Sequence, residues 1–136
     1  MEDGLAPPPS EGSPPPYRLG RSARGGPLAV GRRTFARGIG LRGPASLEIP
    51  APAGARWLLL GCGADAGAAP FARVGIEVIA GGTRRWRREG LAPGAEVESA
   101  AIPLKDGGRI GLRIFPSSGE DPTGCLGDIV DAQFVE

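Results

Sequence analysis

The chain has 136 residues, 40% of them apolar, with glycine (24) and proline (15) in excess and no histidine. That length fits one domain plus a tail. The missing histidine excludes Ser-His-Asp and Cys-His nucleophile arrangements and any imidazole metal ligand. Sixteen basic and fifteen acidic residues leave a formal charge of +1, too little to argue for nucleic acid. No run reaches membrane-spanning length, so no membrane partner is expected.

Residues 1–16 hold two proline triplets among Gly, Ser and Glu. They read as a disordered Pro-rich tail or linker biased to polyproline II, with nothing to bury. Residues 17–136 then form the folded domain. Strands are expected at 27–30 and 34–39, joined by a Gly-Arg-Arg turn, and at 46–49 after Gly43-Pro44. Residues 57–62 are continuously apolar, as for a strand buried on both faces, with Trp57 in the core. Residues 73–80 alternate, with Val74, Ile76 and Val78 opposite Glu77. Gly81-Gly82 is a hairpin signal leading into 83–89. A strand at 96–104 ends in a turn at 105–108. Residues 109–115 give the clearest period of two, Ile110, Leu112 and Ile114 against Arg109, Gly111 and Arg113. A long polar loop at 116–127 precedes the last strand, 128–135. No helix is expected, because Gly or Pro interrupts every stretch long enough for one. Eight or nine short strands indicate an all-β fold, an antiparallel β-sandwich of jelly-roll type.

Several groups could carry chemistry. Asp65, Glu120, Asp121 and Asp128 sit at strand ends or in loops. Gathered together, Asp65, Asp121 and Asp128 could ligate a structural Ca²⁺; the plainer reading is turn-forming carboxylates. No other cofactor is implied. An acid–base pair from Asp128 and Asp131 is disfavoured, since on a regular strand they project to opposite faces. Residues 84–88, Arg-Arg-Trp-Arg-Arg, suit phosphates and stacked bases. Strict alternation places Arg84, Trp86 and Arg88 on one face and Arg85 and Arg87 on the other, so nucleic acid is disfavoured against a surface strand anchored by Trp86. Cys62 and Cys125 allow either one disulfide or two small buried thiols. With Trp57 assigned to the core, no exposed aromatic platform for a sugar is evident.

Pro27-Leu28-Ala29-Val30-Gly31 followed by Thr34-Phe35-Ala36-Arg37-Gly38-Ile39-Gly40 resembles the opening of the NPCBM family of carbohydrate-binding modules. Cys62-Gly63-Ala64-Asp65, residues 75–82, residues 109–114 and Asp128-Ile129-Val130-Asp131-Ala132-Gln133-Phe134 are similar to later pieces of that pattern, in the same order. The resemblance implies a galactose-binding-like jelly roll, usually attached to glycoside hydrolases or other extracellular enzymes. The chain departs from the pattern at three places. Leu41-Arg42-Gly43 stands where the family has Thr-His-Ala, Cys125-Leu126 where it often has Asp-His, and Ile129 where it has Trp. The two histidines are lost together, as one polar cluster would be.

The first functional expectation is therefore a non-catalytic accessory module that binds a glycan or polysaccharide through loops at one end of the sandwich. Its polar groups would be Arg42, Asp65, Asp121 and Asp128, with Arg37 peripheral. The alternative is a protein-interaction or structural module of a larger chain or assembly, tethered by the Pro-rich tail, without sugar binding. The first residues lack the basic and apolar regions of a secretory signal. The chain reads as cytoplasmic if Met1 is the natural start, and as extracellular if it is a domain of a longer protein.

Overall fold

The structure, a computed structural model, describes residues 17–22, 25–104, 108–117 and 125–136. The Pro-rich tail at 1–16, most of the turn at 105–108, and Glu120 and Asp121 lie outside the described residues. The strands are β1 (Tyr17–Leu19), β2 (Leu28–Val30), β3 (Arg33–Phe35), β4 (Gly38–Arg42), β5 (Ala45–Pro50), β6 (Trp57–Ala64), β7 (Val74–Ala80), β8 (Thr83–Leu91), β9 (Glu98–Pro103), β10 (Arg109–Pro116) and β11 (Leu126–Val135). No helix occurs among the described residues.

The strands form two main antiparallel sheets. A five-stranded sheet has the order β1-β4-β11-β6-β9 and a four-stranded sheet the order β5-β10-β7-β8. Apolar residues at every second position put one face of each sheet into a shared core. Leu58, Leu60, Cys62 and Ile102 come from the larger sheet, and Ile76, Val78, Ile110, Leu112 and Ile114 from the smaller. Gly81 and Gly82 close the β7–β8 hairpin with φ of 61° and 78°, as the sequence signal requires.

The hairpin β2–β3 is a separate two-stranded layer. It lies on the outer face of the larger sheet, seated on glycines. A Cβ at Gly63 would come within 2.5 Å of Val30 Cγ1. Gly38 has φ of 150°, and a Cβ there would collide with the Ile129 carbonyl oxygen and lie 3.0 Å from Val130 Cα. The Gly-Ile-Gly motif is thus a backbone requirement at its first residue. It lets β4 run close beside β11 under the hairpin's Leu28.

Four expectations need correction. The strand expected at 34–39 divides into β3 and β4, because the chain leaves the hairpin layer and joins the sheet at Gly38. The run 57–62 is not buried on both faces. Leu58, Leu60 and Cys62 point into the core, while Trp57 is 44% exposed on the other side. The alternation of residues 84–88 is broken by a bulge. Trp86 pairs with Val78 and Arg87 with Glu77, but Arg84 pairs with Ile79. The extra residue, Arg85, therefore moves Arg84 onto the Glu77 side. Finally, the last strand departs from regular geometry between Val130 and Gln133, with Asp131 at φ of 50°. Cys62 and Cys125 are both buried and free, and burial pushes the Cys62 thiol up to about 12.

Gly38→Ala is expected to destabilise the domain by about 1–3 kcal/mol, through strain at a positive φ and a backbone collision that no side chain can relieve. Chemical denaturation compared with the exposed Gly94→Ala, where strain at positive φ acts without any collision, checks this. Equal losses for the two variants would refute the close-approach explanation.

Candidate functional site

The hairpin is held by a buried carboxyl pair. Asp65 follows directly on β6 and Asp128 lies in β11, the two residues 3% and 0% exposed. Asp128 sits between Gly40 of β4 and Gly63 of β6, so its side chain rises from the outer sheet face where neighbours have none. The Ala29 backbone N–H donates to Oδ2 of both acids, at 3.3 Å for Asp128 and 3.4 Å for Asp65. Asp65 Oδ1 also accepts from Gly67 N at 2.7 Å. Ala66 N returns a bond to the Ala29 carbonyl at 2.8 Å. Burial raises the Asp128 carboxyl to about 9, helped by the hydrogen bond and the charge of Asp65 and opposed only by the Ala29 N–H. Two adjacent buried carboxylates cannot both ionise cheaply. Of the two, Asp128 is the one whose burial beside a second carboxyl favours the neutral acid.

A second cluster lies at the end of the same face. Arg42 on β4 and Leu126 on β11 are direct cross-strand partners. The two positions where the family pattern carries histidine are thus adjacent in space, and here they hold a guanidinium and an aliphatic group. Leu126 packs against Ala68 and Ala72 of the β6–β7 loop, while Arg42 Nε is buried without a hydrogen-bond partner. Ile129, at the third departure, is 1% exposed and fills the core. Arg37 is exposed beside the hairpin, and its carbonyl accepts from Asp131 N at 3.2 Å.

The third feature is a groove that the sequence did not reveal. In β2 the side chains of Leu28 and Val30 pack down on the sheet, and their cross-strand partners Phe35 and Arg33 extend the same face sideways over β6 and β9. A groove of about 500 Å³ lies between them, lined by Arg33, Phe35, Gly61, Ser99, Ala101 and Asp131. The Arg33 guanidinium lies 4.8 Å from the Phe35 ring centroid. A hollow of about 540 Å³ adjoins it, sharing Arg33, Val97 and Ser99 and adding Arg32 and Glu96. Leu59 lines the groove, and Trp57, two residues earlier on the same strand, projects from the same face roughly 7 Å along it.

The sequence profile of the NPCBM/NEW2 domain matches residues 6–135. The chain belongs to the NPCBM/NEW2 family. A search of curated protein sequences gave no match. Among solved structures, this NPCBM domain is similar to the CBM51 module of Clostridium perfringens GH95 in complex with methyl-galactose, at 14% identity, a TM-score of 0.78 and coverage of 88% of this chain and 87% of that one. It is also similar to CBM51-2 of Clostridium perfringens ZmpB in complex with GlcNAc, at 17% identity and a TM-score of 0.77, covering 87% of this chain and 27% of that one. The tandem CBM51 modules of the family 98 glycoside hydrolase of Streptococcus pneumoniae SP3-BS71 match at 18% identity and a TM-score of 0.74, over 88% and 41%. These likenesses establish the β-sandwich of CBM51 modules for the NPCBM domain. The chain spans about a quarter of the ZmpB structure.

The raised Asp128 value gives a pH dependence with a definite sign. Its ordinary value is 3.8 and its folded value about 9, so between them the folded domain holds a proton that the unfolded chain releases. Stability therefore falls as pH rises through that window, on the order of 1 kcal/mol per unit. Asp128→Asn keeps the shape and supplies an N–H to Asp65. Its stability relative to wild type should rise steadily from pH 5 to pH 8, about three units within the window. A difference independent of pH in urea titrations would show that the pair does not share a proton.

Proposed function

We propose that this NPCBM domain is a non-catalytic carbohydrate-binding module, acting as an accessory domain, and that its glycan lies in the groove beneath the β2–β3 hairpin. The observation that carries this reading is the exposed Trp57 in line with that groove. A pyranose offers an apolar C–H face and a rim of hydroxyls, and it is held by an aromatic surface with a few polar groups around it. Trp57 gives the surface. Arg33, Ser99 and Asp131 give donors and acceptors of both kinds within the groove. Asp65 and Asp128, named as ligand groups from the sequence, act instead by fixing the hairpin that roofs the groove, since their oxygens are buried beneath it.

The solved ZmpB structure joins CBM51 modules to an M60 catalytic domain. We take attachment to a carbohydrate-active enzyme as the natural setting for this domain too. A second location is favoured by Arg42, whose buried Nε has no partner; a glycan hydroxyl at the strand end would supply one.

A Ca²⁺ held by Asp65, Asp121 and Asp128 is a separate proposal. Asp128 Oδ1, buried without a donor, is the atom that fits it. Against it, backbone N–H groups already occupy the other carboxylate oxygens of the pair, whereas calcium takes six to eight oxygens, as a rough guide. We expect millimolar CaCl₂ to leave the melting temperature unchanged; a rise reversed by EGTA would assign the ion.

Glycan-array screening followed by calorimetry, beginning with galactosides and N-acetylglucosamine, tests the main reading. Trp57→Ala should weaken binding about tenfold without loss of stability, and Arg42→Ala should have little effect. The reverse order would move the site to the strand end. No glycan retained at millimolar concentration by the folded domain would refute sugar binding.

A further inference from the structure

The outer face of the four-stranded sheet, opposite the groove, carries an ion network built around one acid. Glu77 lies in the middle of β7, flanked by β10 and β8, and is 5% exposed. Three guanidiniums reach it. Arg87 Nη1 donates to Oε2 at 2.7 Å, Arg113 Nη1 to Oε1 at 3.3 Å, and Arg84 Nη1 to Oε2 at 3.5 Å. Burial pushes the Glu77 carboxyl up, but hydrogen bonds from Arg113, Arg87 and Arg84 outweigh it and hold the acid below its ordinary value. Arg84 belongs to this cluster only because the bulge at Arg85 shifts it there.

The network is more cationic and more ordered than burial of one carboxylate requires. Arg113 and Arg87 pair with Glu77 from opposite sides, which sets their Cα atoms about 10 Å apart. Both guanidiniums also stack on Phe115, at 5.2 Å and 4.6 Å from its centroid. The Phe115 ring in turn lies against Gly75, where even a methyl group would collide with it. Stacking fixes the guanidinium planes and leaves their in-plane N–H groups free. Each guanidinium has about five such donors. Among the described residues, Arg84 and Arg113 each spend a single one on Glu77. Arg87 alone meets another carboxylate, Glu89, at 3.0 Å. Arg84 and Arg113 remain about half exposed, at 58% and 49%.

We propose that this face is a second binding surface, specific for an acidic polysaccharide whose carboxylate or sulfate groups take the donors that Glu77 leaves free on Arg84, Arg87 and Arg113. Glu77 acts as a positioning residue that gathers three cations which would otherwise repel one another. The choice of polymer rests on the carbohydrate-binding reading above. It also rests on Phe115, whose ring is covered by the two guanidiniums and backed by Gly75, so that no open aromatic face remains on which a nucleic-acid base could stack.

The test measures binding of the full chain to heparin, polygalacturonate and a neutral galactan at low and at physiological ionic strength. Arg84→Gln and Arg113→Gln should each weaken binding to the acidic polymers about 3- to 5-fold. Arg56→Gln, an exposed charge of the same sign elsewhere, should not. Glu77→Gln raises the net charge by one yet should also weaken binding, because the cations lose their anchor; tighter binding would show charge density without a built site. Trp57→Ala should leave the salt-dependent component intact, which separates this surface from the groove. Equal losses in Arg56→Gln, equal binding of single-stranded DNA with the same losses, or no retention of either acidic polymer by folded protein would overturn the proposal.

Discussion

The arrangement on which most else depends is the grip of Asp65 and Asp128 on one backbone N–H, that of Ala29. It joins the first hairpin to the last strand across 99 positions of sequence. Two carboxyl groups out of water would be intolerable if both were charged. One proton between them removes that cost, and the amides of Ala29 and Gly67 answer the charge that remains. The hairpin is then pinned through its backbone, leaving the Phe35 and Arg33 side chains free to overhang the sheet. The groove follows from this. Glycine and alanine beneath the overhang leave space, and the clasp fixes how far the overhang extends.

The two outer faces of the sandwich solve the same problem differently. An antiparallel sheet with one face in a core must do something with the other. On the larger sheet that face is mostly small side chains, and a third layer partly covers it. On the smaller sheet the face stays open and is covered by its own long side chains, arginine stems and Phe115 lying over backbone. The first device produces concavity and the second produces ordered charge. Both use glycine as the seat, Gly63 under Val30 and Gly75 under Phe115.

Much of the frame could be read from residue order. Period-two patterning gave the strand at 109–115, and Gly81-Gly82 gave its neighbour's hairpin, because both are local properties. The bulges at Arg85 and Asp131 could not be read, since no glycine stands at either position and four arginines around Trp86 mask the break at the first. Trp57 was misplaced for a related reason. Leu58, Leu59 and Leu60 form an unbroken apolar run that suggests burial on both faces, but Gly61 and Gly63 further along carry the better signal. Glycines at alternate positions mark a side of the strand that no side chains fill, and Trp57 has the same parity. Asp65 and Asp128 were recognised as polar groups in plausible places. Their joint role was hidden because it depends on Ala29, which contributes only its backbone.

The departures from the family pattern now separate by location. Ile129 belongs to the core, where any apolar residue of suitable volume maintains the packing. Arg42 and Leu126 belong together on the outer face, where exchanging two imidazoles for a cation and an aliphatic group changes what that end of the sheet can hydrogen-bond. Leu126 packs its side chain against Ala68 and Ala72, an apolar contact beneath that loop, and its carbonyl accepts from Asp65 N. The frame therefore stands without the histidines, while Arg33, Ser99 and Asp131 line the groove elsewhere on that face. A fold whose strands and hairpin are fixed by glycine seats and a buried acid pair can exchange polar side chains along the sheet's outer face without disturbing what holds it together.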